Sequence, residues 1–252
     1  MNKSIQQIIA DNHSTGRGYD SKGLPRPLSE REFFEVSEEM GCNQSNSDYR
    51  KLFENLAAYI HKFPSIRSAL EMGCGPGYLL YSLNKIGIDT AGVDGNGYSK
   101  DFFTRKHPEY AHKYHLDPLF AERYEKADLF IAIECFEHIP DANLNLVMDK
   151  VRCEIQPEFI LFSSTPHPDP DPHWDIQWGH LNIKQPQEWH IFFSRYGYAL
   201  TKGKPPVTVW ASLYKRKRKW LIGVSYCWSQ LFRLLGGRTK KSSKRADSNG
   251  PS

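Results

Sequence analysis

The sequence predicts an α/β fold built on a mostly parallel sheet with helices on both faces. Three observations carry that expectation. Short apolar runs alternate with helix-period segments between residues 67 and 164. A glycine-rich turn, Gly73–Cys74–Gly75–Pro76–Gly77, separates the first run from the helix that follows it. An acid, Asp94, closes the second run, at the sheet edge where open α/β folds bind ligands.

Residues 1–28 carry scattered Gly, Pro and Ser and read as a loose arm. Residues 29–40 and 47–63 read as helices. Ser29 and Glu32 have capping-box spacing, and Leu52, Leu56, Tyr59 and Ile60 form an apolar stripe. Strands are expected at 67–72, 89–94, 112–116, 128–133 and 158–164. Helices are expected at 78–86, 98–106, 118–124, 140–154 and 186–196. Residues 198–202 and 207–214 suit a closing antiparallel pair. The expected organisation is an arm and helix (1–46), a main domain (47–214), a basic amphipathic helix (215–236) and a disordered tail (237–252).

With 252 residues, 39% of them apolar and 25% charged, the chain can fill one large core. Its net charge of +4 is unevenly spread. From Leu213 onward lie 11 of the 33 Lys and Arg but only one of the 29 acids, which leaves the preceding body at −6. An acidic body disfavours nucleic acid as a partner. The tail opens with KRKRK at 215–219, and Trp220, Val224, Trp228, Leu231 and Leu235 then share one helical face. Gln230 and Arg233 make 220–236 a poor membrane span. An interfacial helix on an anionic membrane surface fits better. Packing on protein and contact with RNA are the alternatives.

Five cysteines form no C-x-x-C pair, which argues against a zinc ribbon and a secreted disulfide framework. The polar start, MNKSIQQIIADNHS, is unlike a signal peptide. A cytoplasmic location is expected, peripheral on the inner face of a membrane if the tail binds one.

The glycine turn permits close approach of a ligand to backbone, and the helix behind it offers free N–H groups. Tyr78 breaks the dinucleotide spacing G-x-G-x-x-G, and no Lys-[Ser/Thr] follows, so this is not a P-loop. Glu71, two residues before the first glycine, would repel a pyrophosphate and welcome a cationic group. The Asp94 carboxylate can accept both hydroxyls of a ribose. An ordinary turn explains any one glycine loop. Strand, loop, helix, strand and terminal acid in order argue against it here.

Together these residues resemble the class I S-adenosylmethionine-dependent methyltransferases, over about residues 50–200. The resemblance implies a Rossmann-like seven-stranded sheet with the last strand antiparallel. It assigns Glu71, Gly73, Cys74, Gly75 and Gly77 to the methionine part of the cofactor and Asp94 to the ribose. Asp117 is assigned to the adenine amine, with Leu116 and Pro118 beside the ring. The segment Ile133–Glu134–Cys135–Phe136–Glu137–His138–Ile139–Pro140–Asp141 is similar to the E-x-x-E-H-I-P-D stretch of a subgroup. That subgroup holds ubiquinone-biosynthesis, glycan and natural-product O-methyltransferases. The resemblance therefore implies O-methylation of a small molecule, a glycan or a lipid-linked intermediate.

Glu134, Glu137 and His138 recur at the spacing of one helical face. Their oxygen and nitrogen donors suit Mg²⁺, Mn²⁺ or Zn²⁺. The resemblance to ubiquinone and small-RNA 2′-O-methyltransferases implies such a metal, with His180 as the further ligand and Glu134 also facing the cofactor. Without a metal, His138 or His180 is the candidate general base, or His138 is a structural hydrogen-bonder. In the loop 165–182, Trp174 and Trp178 stack on a substrate ring or anchor the loop. Two rivals remain: a metal-dependent RNA 2′-O-methyltransferase and a non-catalytic binding scaffold.

Overall fold

The computed structural model describes residues 3–43, 45–206 and 211–217. The elements in chain order are α1 (Ile5–Thr15), α2 (Glu30–Glu39), α3 (Ser47–His61), β1 (Ser68–Met72), α4 (Tyr78–Lys85), β2 (Asp89–Asp94) and α5 (Gly97–Lys106). They continue with β3 (Tyr114–Leu116), β4 (Leu129–Ile133), α6 (Asp141–Lys150), β5 (Phe159–Ser163), α7 (Pro172–Trp178), α8 (Pro186–Arg195), β6 (Tyr198–Leu200) and β7 (Ser212–Arg216). The strands form one seven-stranded sheet in the order β3-β2-β1-β4-β5-β7-β6. The first five are parallel, and β7 runs antiparallel to both β5 and β6.

The central strands are apolar on both faces because both faces are covered. In β4, Leu129 and Ile131 join a cluster with Leu56 and Ile60 of α3 and Leu79 and Leu83 of α4. Phe130 and Ala132 point the other way, into a cluster with Leu144 and Met148 of α6 and Trp189 and Phe193 of α8. The strand order reverses between β1 and β4. This switch point brings the Gly73 turn and the segment after Ile133 together at the carboxyl ends of these two strands, the place where open α/β sheets bind ligands.

Several expectations need correction. Among the described residues, the stretch expected as a loose arm opens with a helix: Ser4 and Gln7 form a reciprocal capping box that starts α1. Ile8 of α1 then packs with Val36 of α2 and Trp174 of α7. Residues 118–124 are not a helix. The Asp117 carboxylate accepts from the Glu122 N–H at 2.7 Å, and Phe120 takes a φ of 49°, so the chain turns there instead. The loop 165–182 contains α7, with Asp171 as N-cap and Pro172 in its first turn. The sheet runs past residue 214: Lys215 and Arg216 lie in β7, and the Lys217 N–H donates to the Gly197 carbonyl. Cys42, Cys74 and Cys135 are free. The expected amphipathic helix at 220–236 and the tail at 237–252 lie outside the described residues. Among the described residues no helix is long and apolar enough to cross a membrane.

Candidate active site

The site has two halves, one on each side of the switch point. The first is built from the carboxyl ends of β1 and β2. Glu71 is 4% exposed, and its Oε2 has no hydrogen-bond partner. Burial, then the charge of Asp94, pushes its carboxyl up to about 8. Asp94 accepts from the Gly75 N–H and the Asn96 N–H, both at 2.8 Å. Its burial still raises it above the usual carboxylate range. The Gly75 carbonyl accepts from the Tyr114 hydroxyl at 2.8 Å, which fixes the turn from below.

Gly73 explains why the two halves touch. Its φ is +71°, and a Cβ there would lie 2.6 Å from the Cys135 Sγ. Only glycine lets the segment after β4 close on the turn after β1. On Gly75 the corresponding side is open, with no atom within 4 Å.

Asp117 lies on the same rim, its N–H donating to the Asp94 carbonyl at 3.0 Å. Burial raises its carboxyl, but hydrogen bonds from the Ala121 and Glu122 backbone and from Tyr124 outweigh it and bring the net shift down. Its Oδ2 is engaged by its own loop, with the Tyr124 hydroxyl at 2.7 Å. Leu116 is 41% exposed beside it.

The second half follows β4. Glu134 has a φ of 45°, a strained value that costs about 1–3 kcal/mol and is held by β5. Its carboxylate accepts from the Ser163 hydroxyl at 2.6 Å and the Thr165 hydroxyl at 3.0 Å, and its N–H donates to the Ser163 carbonyl. Glu137 is 1% exposed. Burial, reinforced by Glu134, holds its carboxyl well above the usual range. The Glu137 carbonyl accepts from the N–H groups of Leu181 at 2.7 Å and Asn182 at 3.0 Å, which fastens the His180 loop to this segment. Burial, then His180, pushes His138 down to about 4. The two imidazole rings are 5.1 Å apart.

One donor atom each from Glu137, His138 and His180 lies within 4.8 Å of the others. Of the four residues expected to form a metal set, these three come together. Glu134 is not one of these three: its carboxylate accepts from Ser163 and Thr165 and also meets the Glu137 carboxyl. Trp174 is buried with Ile8 and Val36, so it anchors the loop. Trp178 packs edge-on against Phe33 of α2 at 4.5 Å, and Phe33 also meets the His138 ring edge-on at 6.2 Å.

Sequence reasoning missed Phe33, Ser163, Thr165 and Asp175. Nothing local marks the first three, because their roles come from tertiary contact. Asp175, bonded to His180 at 2.7 Å, was legible as the acid five residues before it.

The family model described as "Methyltransferase domain" matches residues 44–201, well over half of the chain. The chain belongs to this methyltransferase family. Its motifs and sheet topology make it a class I S-adenosylmethionine-dependent methyltransferase. No curated protein matches the chain in sequence. Among solved structures it is similar to the magnesium protoporphyrin IX methyltransferase of Synechocystis PCC 6803, solved with bound SAH. That match has 14% identity, a TM-score of 0.55, and covers 84% of this chain and 99% of the other. Human N-acetylserotonin methyltransferase, solved with SAM, matches at 14% identity and a TM-score of 0.54, over 84% of this chain and 66% of its own. The small RNA methyltransferase HEN1 matches at 15% identity and 0.52, over 70% of this chain but 26% of its own. At such identities the likeness is one of fold.

The methyltransferase site fits its cofactor on three observations. A buried carboxyl oxygen of Glu71 lacks a partner where a cation would settle. The open side of Gly75 leaves room at the turn. Asp94 stands beside that opening with two oxygens directed by backbone N–H groups.

Proposed function

We propose that this methyltransferase acts on an oxygen of a small molecule, a class that includes sugar hydroxyls and lipid-linked intermediates. The observation that carries this reading is the convergence of buried Glu137 with half-buried His138 and His180, on the segment that closes on the Gly73 turn. Oxygen acceptors must lose a proton, and this trio supplies groups that can take one.

S-adenosylmethionine, when bound, supplies an electrophilic methyl group on a positively charged sulfur. Glu71 offers its carboxyl to the positive end of the amino-acid part. Asp94 accepts from the ribose, and Asp117 borders the adenine. The segment after β4 would hold the acceptor hydroxyl toward the cofactor half, and that orientation would supply part of the rate. His138 is neutral at pH 7 because its pKa is depressed to about 4. It is a proton acceptor of low basicity, suited to a proton that leaves as the new bond forms. His180 is the second acceptor within reach of the same space.

A metal reading is favoured by one observation, the convergence of three donor atoms within 4.8 Å. Glu137, His138 and His180 would hold Mg²⁺, Mn²⁺ or Zn²⁺. The ion would lower the pKa of an acceptor hydroxyl, and the unpartnered Glu137 Oε2 fits that role. An RNA acceptor is disfavoured by the acidic body. Contact of 215–236 with an anionic membrane surface stays part of the proposal. Two of its basic residues, however, are in β7, where Lys215 pairs with Glu158 at 3.3 Å.

The test is calorimetric titration of metal-stripped protein with S-adenosylhomocysteine, then with each ion, followed by methyl transfer to a panel of phenols and sugars. Saturable cofactor heat and O-methylated product are expected. Cofactor heat with transfer to nitrogen alone would replace the oxygen reading. No cofactor heat would leave the scaffold reading in front.

A further inference from the structure

His180 is tied to α7 twice. Its backbone N–H donates to the Asp175 carbonyl at 2.9 Å, and its Nδ1 lies 2.7 Å from the Asp175 Oδ1. The turn between them is made by Gly179 in the left-handed region. The carboxylate is itself fixed, since its other oxygen accepts from the Asp169 N–H at 2.8 Å. Both side chains are largely withdrawn from water, at 11% exposed for His180 and 14% for Asp175. An ionised carboxylate can only accept, so Nδ1 must carry the hydrogen. A neutral imidazole then has its lone pair on Nε2.

We infer that Asp175 is a positioning residue: it fixes the tautomer and ring plane of His180 so that Nε2 is the atom offered to Glu137 and His138. The inference rests on the reading that His180 belongs to the reaction half. It deepens that reading by naming which nitrogen works and what selects it. The same arrangement serves a proton acceptor or a metal ligand, because each needs the lone pair on the nitrogen facing the site. It also gives α7 a purpose beyond packing. The short helix holds an acid at a fixed distance from the histidine that follows its end.

The test is histidine side-chain ¹⁵N NMR on metal-stripped protein with S-adenosylhomocysteine bound. The His180 signals are assigned from the spectrum of His180→Gln. Protonated Nδ1 and unprotonated Nε2 are expected in the unaltered protein; the opposite tautomer overturns the inference without need of a variant. In Asp175→Asn the tautomer preference is expected to be lost, with affinity for S-adenosylhomocysteine unchanged. An unchanged tautomer in that variant overturns the inference.

Zn²⁺ alone then serves as a probe of where the lone pair points. It is expected to perturb Nε2 of His180, and Asp175→Asn is expected to bind it about 10- to 100-fold more weakly. The two ideas fail separately. If Zn²⁺ leaves Nε2 untouched although Nδ1 is protonated, the placement of His180 in the reaction half falls and takes its positioning role with it. If Zn²⁺ perturbs Nε2 equally well in Asp175→Asn, His180 keeps its place and Asp175 alone loses its role.

Discussion

Glu71 and Glu137 are carboxyls that burial keeps protonated at pH values where free carboxyls are charged. The Glu71 carboxyl sits at about 8 rather than 4.5, so the folded state holds a proton that the unfolded chain releases. Its contribution to stability is therefore lost as pH rises from about 4.5 to about 8. Glu137 acts in the same direction. His138 acts oppositely: its pKa falls from 6.5 to about 4, so stability is lost as pH falls through that window. Between pH 6.5 and 8 the carboxyls act without opposition from His138. The Tm of the unliganded protein should fall across this window, and Glu71→Gln should flatten the slope; thermal melts at several pH values check both. Asp94→Ala removes the acceptor for the Gly75 and Asn96 N–H groups and, on the proposed reading, for the ribose. Calorimetry should show affinity for S-adenosylhomocysteine reduced by at least about 10-fold, the scale of a lost hydrogen bond to a charged group.

Between elements, the turn from β1 into α4 separates packing from binding. At Gly77, φ is +79° and a Cβ would lie 2.2 Å from the Phe103 ring. Gly77→Ala should cost about 2–4 kcal/mol in urea unfolding, from left-handed backbone and overpacking combined. Gly75→Ala meets open space instead. It should cost about 1–2 kcal/mol of stability while losing most cofactor affinity. These features were legible because they are local: a glycine spacing, an acid at a strand end, an apolar run buried on both faces. Glu71, Asp94 and the His138 segment could be put at the carboxyl ends of their strands for that reason. The stretch 118–124 misled because its turn depends on the Asp117 carboxylate, not on residue periodicity. α1 and α7 did carry signals, Ser4 with Gln7 and Asp171 before Pro172. Both were obscured by surrounding Gly, Pro and polar residues. The Ser163 and Thr165 partners of Glu134 could not be read, since they arrive from β5 and the loop beyond it.

For the domain as a whole, the amino-terminal helices are part of the site's enclosure. The Glu30 carboxylate accepts from the Gly97 N–H at 2.9 Å, and its carbonyl accepts from the Asn96 side chain at 2.8 Å, next to Asp94. Cofactor bound at Asp94 should therefore slow amide exchange at Gly97 and in the first turn of α2, as read by hydrogen-exchange mass spectrometry. A buried pair, Asn12 and Gln177, joins α1 to α7 at 2.9 Å. Gln177→Leu strands the Asn12 amide and should cost about 1–3 kcal/mol, with the loss of exchange protection concentrated in α1.

That same pair has a consequence for biosynthesis. Its members are 165 positions apart. At translation speeds of about 5–20 residues per second, the ribosome finishes α1 roughly 8–33 s before it makes the partner α1 docks on. The first helix to emerge is among the last to be seated. A nascent chain stopped at β4 has already made its cofactor turn, yet it has neither the His180 loop nor the helix that α1 rests on. The proposed reaction half is thus completed only late in synthesis, by the order in which the chain is written.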